Sequence, residues 1–155
     1  MAFTLQACVS PARGFARVAA GPGASSPVDL GFGLQLVTLD DARFPGERHP
    51  IFEQLTPPIA AWLRTAARQG PMAYLEAVYW GGLGWQAAAV WEEGRLVLGP
   101  IFHTNDPDDA ARAAMAAPAP GGAINAALMR LGVKPARGLD AFDTVNLLGI
   151  VRGRR

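Results

Sequence analysis

Residues 72 to 98 constrain the fold more than any other stretch of the chain. Met72 to Trp80 (MAYLEAVYW) is rich in aromatic and branched residues, Gly81 to Gly84 reads GGLG, and Trp85 to Trp91 (WQAAAVW) is a second strand-length run. Glu92, Glu93, Gly94 and Arg95 then form a second turn leading into Leu96 to Leu98. Strand-length runs punctuated by glycine turns read as hairpins, so the segment predicts a three-stranded antiparallel meander. Side chains alternate along a strand, which puts Tyr74, Glu76, Val78 and Trp80 on one face and Ala73, Leu75, Ala77 and Tyr79 on the other. Glu76 is then a carboxylate among apolar neighbours.

Helix signals flank the meander. Thr56 followed by Pro57 and Pro58 is a helix entry, because the threonine hydroxyl can accept an orphan amide hydrogen bond and proline loses nothing at the first helical position. Ile59, Trp62, Leu63 and Ala66 share one face at helical spacing, and Gly70 with Pro71 ends the run, which predicts a helix over 57–69. Asp106, Pro107, Asp108 and Asp109 place a capping carboxylate, a proline and further acids at the positive end of a helix running to about Ala116. After the APAPGG linker of 117–122, Ile124, Ala127, Leu128 and Leu131 repeat at helical spacing and Gly132 supplies the stop. Asp140 caps a final helical turn through Phe142 and Val145 to Leu147.

The first third is sparser. Phe3 to Val9 has the length and punctuation of a strand, ended by Ser10 and Pro11. GPGASSP at 21–27 prevents regular structure. Leu34, Leu36 and Leu39 mark a second strand, with Gln35 and Val37 on its opposite face, before a polar loop over 40–50. The whole predicts one α+β domain over 1–155: an antiparallel sheet of about five strands, including the meander, packed against two to four helices. Residues 1–56 are loop-rich, 57–149 form the core and 150–155 form a basic tail.

A chain of 155 residues buries roughly 70% of its extended surface on folding, enough for a core without disulfides or metals. Half of the residues are hydrophobic and 17% are charged, which excludes disorder, and no uninterrupted apolar run reaches the roughly 20 residues of a membrane span. A formal charge of +1, with Arg152, Arg154 and Arg155 as the only basic cluster, offers no field to attract nucleic acid. The single Cys8 forms no internal disulfide, and the lipoprotein-like Leu5, Gln6, Ala7, Cys8 box lacks a charged start and an apolar region upstream, so the expected location is cytoplasmic.

Catalytic chemistry is not expected. His49 and His103 are the only histidines, and neither has a second metal ligand at helical or hairpin spacing, so no metal and no cofactor is predicted. Pairing Cys8 with either histidine has no local signature. The GGLG glycines lead into a strand, whereas a phosphate cradle leads into a helix N-terminus. Nothing in the sequence brings Glu76 and Asp143 together as an acid and a base. What remains is aromatic surface: Trp80 and Trp85 flank the glycine turn, either as a docking hairpin or as a cross-strand pair beneath a helix.

The segments AYLEAVYWGGLGWQAAAVWEEGRLVLGP, INAALMRLGV and GLDAFDTVNLLG, spanning Pro57 to Gly149, resemble a bacterial family that shares a glycine hairpin, a QAAxVW strand, an INxALxxLGV helix and a GxDxFD segment. Small proteins of this kind resemble immunity proteins encoded beside polymorphic or contact-dependent toxins. The terminal RGRR departs from that pattern. The resemblance implies a binding protein that blocks a cognate protein toxin by occlusion, with Glu76, Trp80, Trp85, Gln86 and Arg95 as candidate contact residues. Two other classes predict different features. A small enzyme or ligand-binding domain would converge Glu76, Gln86 and Arg95 in a pocket on the sheet, and a homo-oligomeric subunit would pair an exposed sheet edge.

Overall fold

Two double-positive turns build the meander. In the computed structural model, which describes residues 2–11, 25–39, 47 and 49–153, Gly81 and Gly82 have φ of 59° and 85° and join Trp80 directly to Leu83. Glu93 and Gly94 repeat the arrangement at 52° and 76° between Glu92 and Arg95. Positive φ at both central residues matches the twist of a two-residue hairpin, and glycine adopts it without a Cβ penalty. The turn is therefore Gly81–Gly82 alone, and Leu83 and Gly84 belong to the following strand.

The strands are β1 (Phe3–Pro11), β2 (Val28–Gly31), β3 (Leu34–Thr38), β4 (Met72–Trp80), β5 (Leu83–Glu92) and β6 (Arg95–Thr104). They form a six-stranded sheet in the order β2-β3-β1-β4-β5-β6, and every neighbouring pair is antiparallel. The sheet gains one strand over the sequence expectation, because Val28–Gly31 pairs with β3 through a turn at Phe32–Gly33. β6 is longer than Leu96 to Leu98; it passes an irregularity opposite Ala88 and Val90 and continues to Thr104.

The helices among the described residues are α1 (Pro57–Ala66), α2 (Ala110–Ala113), α3 (Ala123–Arg130), α4 (Ala141–Thr144) and α5 (Leu147–Arg152). Short 3₁₀ turns follow α1 at Ala67–Gln69 and precede α2 at Pro107–Asp109. Both sheet faces are covered, so the architecture is a three-layer α+β sandwich. On one face Leu5, Ala7, Val9, Leu75, Ala77, Ala88 and Val90 pack with Ile124, Ala127, Leu128, Val145 and Leu147 from α3 to α5. On the other, Cys8, Tyr74, Trp85, Ala87, Ala89 and Trp91 pack with Ile59 and Leu63 of α1 and with Ile51, Phe52 and Leu55 of the segment before it. The alternation expected for β4 sorts its residues onto these two faces.

Three helix expectations need correction. Thr56 precedes α1, but its side chain makes no cap; Thr56 Oγ1 is buried without a partner, and its carbonyl instead accepts from Ala60 N at 2.9 Å. The helix entered at Asp106 is regular to Ala113 and continues as tighter turns, Met115 N on Arg112 O and Ala116 N on Ala113 O, before Ala117 joins the sheet: its amide donates to Pro100 O at 3.2 Å and its carbonyl accepts from Phe102 N at 3.5 Å. Asp140 does cap α4, accepting from Asp143 N at 2.8 Å. Asn146, at φ 52°, then breaks the chain direction and α5 begins, in place of one turn ending at Leu147. The predicted loops over 21–27 and 40–50 lie largely outside the described residues.

Candidate functional site

The five candidate residues do not converge. Glu76 and Gln86 occupy opposite faces, because Glu76 stands opposite Ala87 in the ladder and Gln86 opposite Ala77. Arg95 sits at the β5–β6 turn, opposite Glu92. With Glu76 and Gln86 on opposite faces, the sheet does not bring these three residues together into one site.

Glu76 is a buried anchor, 1% exposed. Its carboxylate accepts from Glu53 N at 2.8 Å, Gln54 N at 2.9 Å and Tyr74 Oη at 2.6 Å. Gln6 Nε2 in turn donates to Tyr74 Oη at 2.9 Å. Burial pushes the Glu76 carboxyl above the ordinary carboxylate range, while the three donors oppose that rise. Burial and the neighbouring carboxylate also push the Tyr74 phenol up. Asp143 lies on α4, across the sheet, so it forms no acid–base pair with Glu76.

Arg112 of α2 holds the same segment from its other side. Its Nε and Nη2 donate to Ile51 O at 2.9 and 2.6 Å, and its guanidinium lies over the rings of Trp85 and Phe102 with centroids at 4.0 and 4.6 Å. Glu53 Oε1 and Asp109 Oδ1 lie 3.4 and 3.7 Å from Nη1. Residues 51–54 are thus a strap across the sheet, gripped at its amides by an acid and at a carbonyl by a base. His49 completes the turn: its Nδ1 accepts from Ile51 N at 3.1 Å and, more weakly, from Phe52 N at 3.5 Å. Sequence reasoning missed Arg112, since an arginine on a four-residue, alanine-rich helix gives no signal that it reaches back to residue 51.

Gln86 is structural on the opposite face. Its Oε1 accepts from Ile124 N at 2.9 Å, where α3 begins, and its Nε2 donates to Tyr79 Oη at 3.1 Å. Glu92 pairs with Arg130, Oε1 to Nε at 3.0 Å and Oε2 to Nη2 at 3.2 Å, and ties α3 to the β5–β6 turn.

The two hairpin tryptophans separate. Trp85, opposite Val78, is 5% exposed and stacked on Phe102 at 5.7 Å. Trp80, opposite Leu83, is 76% exposed and Leu83 is 50% exposed. The tip they form is braced by Asn105, whose Nδ2 donates to Gly82 O at 2.9 Å and whose Oδ1 accepts from Gly84 N at 2.8 Å. The arrangement presents the apolar side chains of Trp80 and Leu83 to solvent. Cys8 is fully buried, and burial pushes its thiol up, away from the thiolate form that nucleophilic chemistry uses. No group of three or more His, Cys, Asp or Glu among the described residues is placed to hold a metal. No helix among them is long and apolar enough to cross a membrane. Comparison with known proteins finds no matching family model, curated protein or solved structure.

Proposed function

We propose that this chain is a binding protein of the immunity type, which neutralises a cognate bacterial protein toxin by docking on it and occluding its working surface. The observation that carries the reading is the hairpin tip, where Trp80 is 76% exposed on a turn braced by Asn105. Tryptophan is enriched among the residues that dominate protein–protein affinity, and a preformed turn limits the entropy lost on docking. Leu83 extends the apolar patch, and Trp85 supports it from within the core. The resemblance of the segment Pro57 to Gly149 to immunity proteins supplies the class of partner. Such a protein acts in the cytoplasm by occupying a surface and requires no nucleophile, metal or cofactor of its own.

The test is co-expression with the products of neighbouring genes, with capture of the tagged chain and a growth assay for relief of toxicity. A near-equimolar partner whose toxicity this chain relieves is the expected result; a preparation that remains alone and protects no cell would overturn the reading. Within the complex, Trp80→Ala is expected to weaken binding by tenfold or more, on the order of what a central aromatic contact contributes. Its unfolding free energy should stay within about 0.5 kcal/mol of the parent, as for other exposed sites.

A second reading rests on β6. As the sheet edge it exposes Leu96 and Val97, at 47% and 39%, and an apolar edge is a template for pairing with another copy. Light scattering across a concentration series separates the two: a stable dimer of the isolated chain favours the edge, and a monomer favours the hairpin.

A further inference from the structure

The face opposite the strap carries a hollow of about 320 Å³, lined by β1, the β4–β5 hairpin and the starts and ends of α3 to α5. Its apolar walls are Phe3, Phe142 and Leu148, with Phe3 and Phe142 edge to face at 6.2 Å. Its polar groups fall into two sets. Asn125 and Asp140 are committed to the fold: Asn125 Nδ2 donates to Gly121 O at 2.6 Å and to Asp140 Oδ2 at 3.0 Å. Asn125 Oδ1 accepts from Phe142 N at 2.7 Å, and Asp140 Oδ1 accepts from Asp143 N at 2.8 Å. Each Asp140 oxygen thus already has a donor, and these bonds hold the rim in place.

The second set is uncommitted. Tyr79 Oη accepts from Gln86 Nε2 at 3.1 Å, which leaves its O–H to donate. Gln86 Nε2 carries a second N–H beyond the one given to Tyr79. Arg152, on the last turn of α5, is exposed and takes part in no hydrogen bond or ion pair among the described residues, although its side chain lines the hollow. The donors open to a ligand are therefore the Tyr79 hydroxyl, the second Gln86 N–H and the Arg152 guanidinium beside aromatic walls, while the Asp140 carboxylate on the same rim is held by Asn125 and the Asp143 amide. That combination complements an apolar body ending in a carboxylate, which a guanidinium can hold through two parallel hydrogen bonds.

We propose that this hollow is a binding site for a carboxylate-bearing apolar ligand, with Arg152 and Tyr79 receiving the carboxylate and Phe3, Phe142 and Leu148 enclosing the body. The site is independent of the hairpin's docking role, since Trp80 lies on the other face of β4. A carboxylate of this kind can belong to a free organic acid or to the C-terminus of a peptide.

The experiment is a titration of the full chain, followed by amide NMR, with 3-phenylpropionate, its uncharged amide, and a tetrapeptide ending in phenylalanine with a free or an amidated C-terminus. Saturable shifts centred on Tyr79, Gln86 and Phe142, produced by the acids and not by the amides, are expected. Binding of the free acid identifies a small-molecule site, and binding of the peptide acid alone identifies a chain terminus; either supports the assignment. Arg152→Gln should weaken the bound acid about tenfold or more, the loss typical of a charge-assisted hydrogen bond, with an unchanged unfolding midpoint. Equal binding of acid and amide, full affinity in Arg152→Gln, or no saturable shift at these residues would overturn the proposal.

Discussion

At the scale of single residues, the buried Glu76 and the half-buried His49 set the chemistry of the strap. Glu76 accepts from three donors, two of them main-chain amides. Glu76→Gln turns one acceptor into an NH₂ group facing those donors, so it should destabilise the fold by about 1–3 kcal/mol, the cost of leaving a buried donor without a partner. Urea unfolding of the variant and its parent measures this directly. His49 makes the strap sensitive to acid. Burial holds its imidazole below the ordinary value, and its Nδ1 already accepts from Ile51 N, so the folded state favours the neutral ring. The unfolded chain binds a proton more readily near the ordinary pKa of about 6.5, and the stability that His49 contributes is present above that pH and lost as pH falls through the lower folded value. The expected outcome is a lower melting midpoint at pH 5 than at pH 7.5. That difference should shrink in His49→Asn, whose side-chain oxygen offers an acceptor that does not titrate.

Among the elements, the β4–β5 hairpin depends on one glycine that is not in its turn. A Cβ at Gly84 would run into the Val78 carbonyl and the Tyr79 backbone, neither of which can give way without opening the ladder. Gly84→Ala is accordingly expected to cost about 1–3 kcal/mol, in the range of other overpacked sites, and thermal unfolding reads the loss. The meander and the cores of α1 and α3 were legible in the sequence because their signals are local: strand-length runs, glycine punctuation and helical spacing coincide over 57–131. β2 was not legible, since Val28–Gly31 contains Asp29 and Gly31 and becomes a strand only by pairing with β3. The step from α2 into the sheet was hidden for a similar reason, because Ala117 joins it only through a bridge to β6. Of the candidate site, alternation marked Glu76 as a buried acid, but its partners come from residues 53 and 54, which no spacing rule connects to β4. The separation of Trp80 from Trp85 depends on what lies above each ring, and Arg112 supplies that cover from 27 positions beyond Trp85 in sequence.

For the molecule as a whole, Arg112 joins three parts of one face: α2, the strap and the aromatic pair Trp85 and Phe102 on the sheet. Arg112→Ala removes the charged bonds to Ile51 O and the cover over both rings together, so it should act well beyond its own helix. Hydrogen exchange at Glu53 N and Gln54 N is expected to accelerate at least tenfold, while amides in the β1–β4 ladder exchange as in the parent. Equal acceleration at both places would indicate global loosening and refute a local role. The strap's attachments also have a consequence for how the chain can change. Glu76 and His49 grip only main-chain amides, and the strongest bonds from Arg112 go to a carbonyl. The path of the strap is therefore fixed by the buried side chains of Ile51 and Phe52 and by bonds to its main chain, and the letters at positions 53 and 54 can be replaced without redrawing it. A lineage under pressure to meet new surfaces would find there a stretch whose chemistry varies while its shape is inherited.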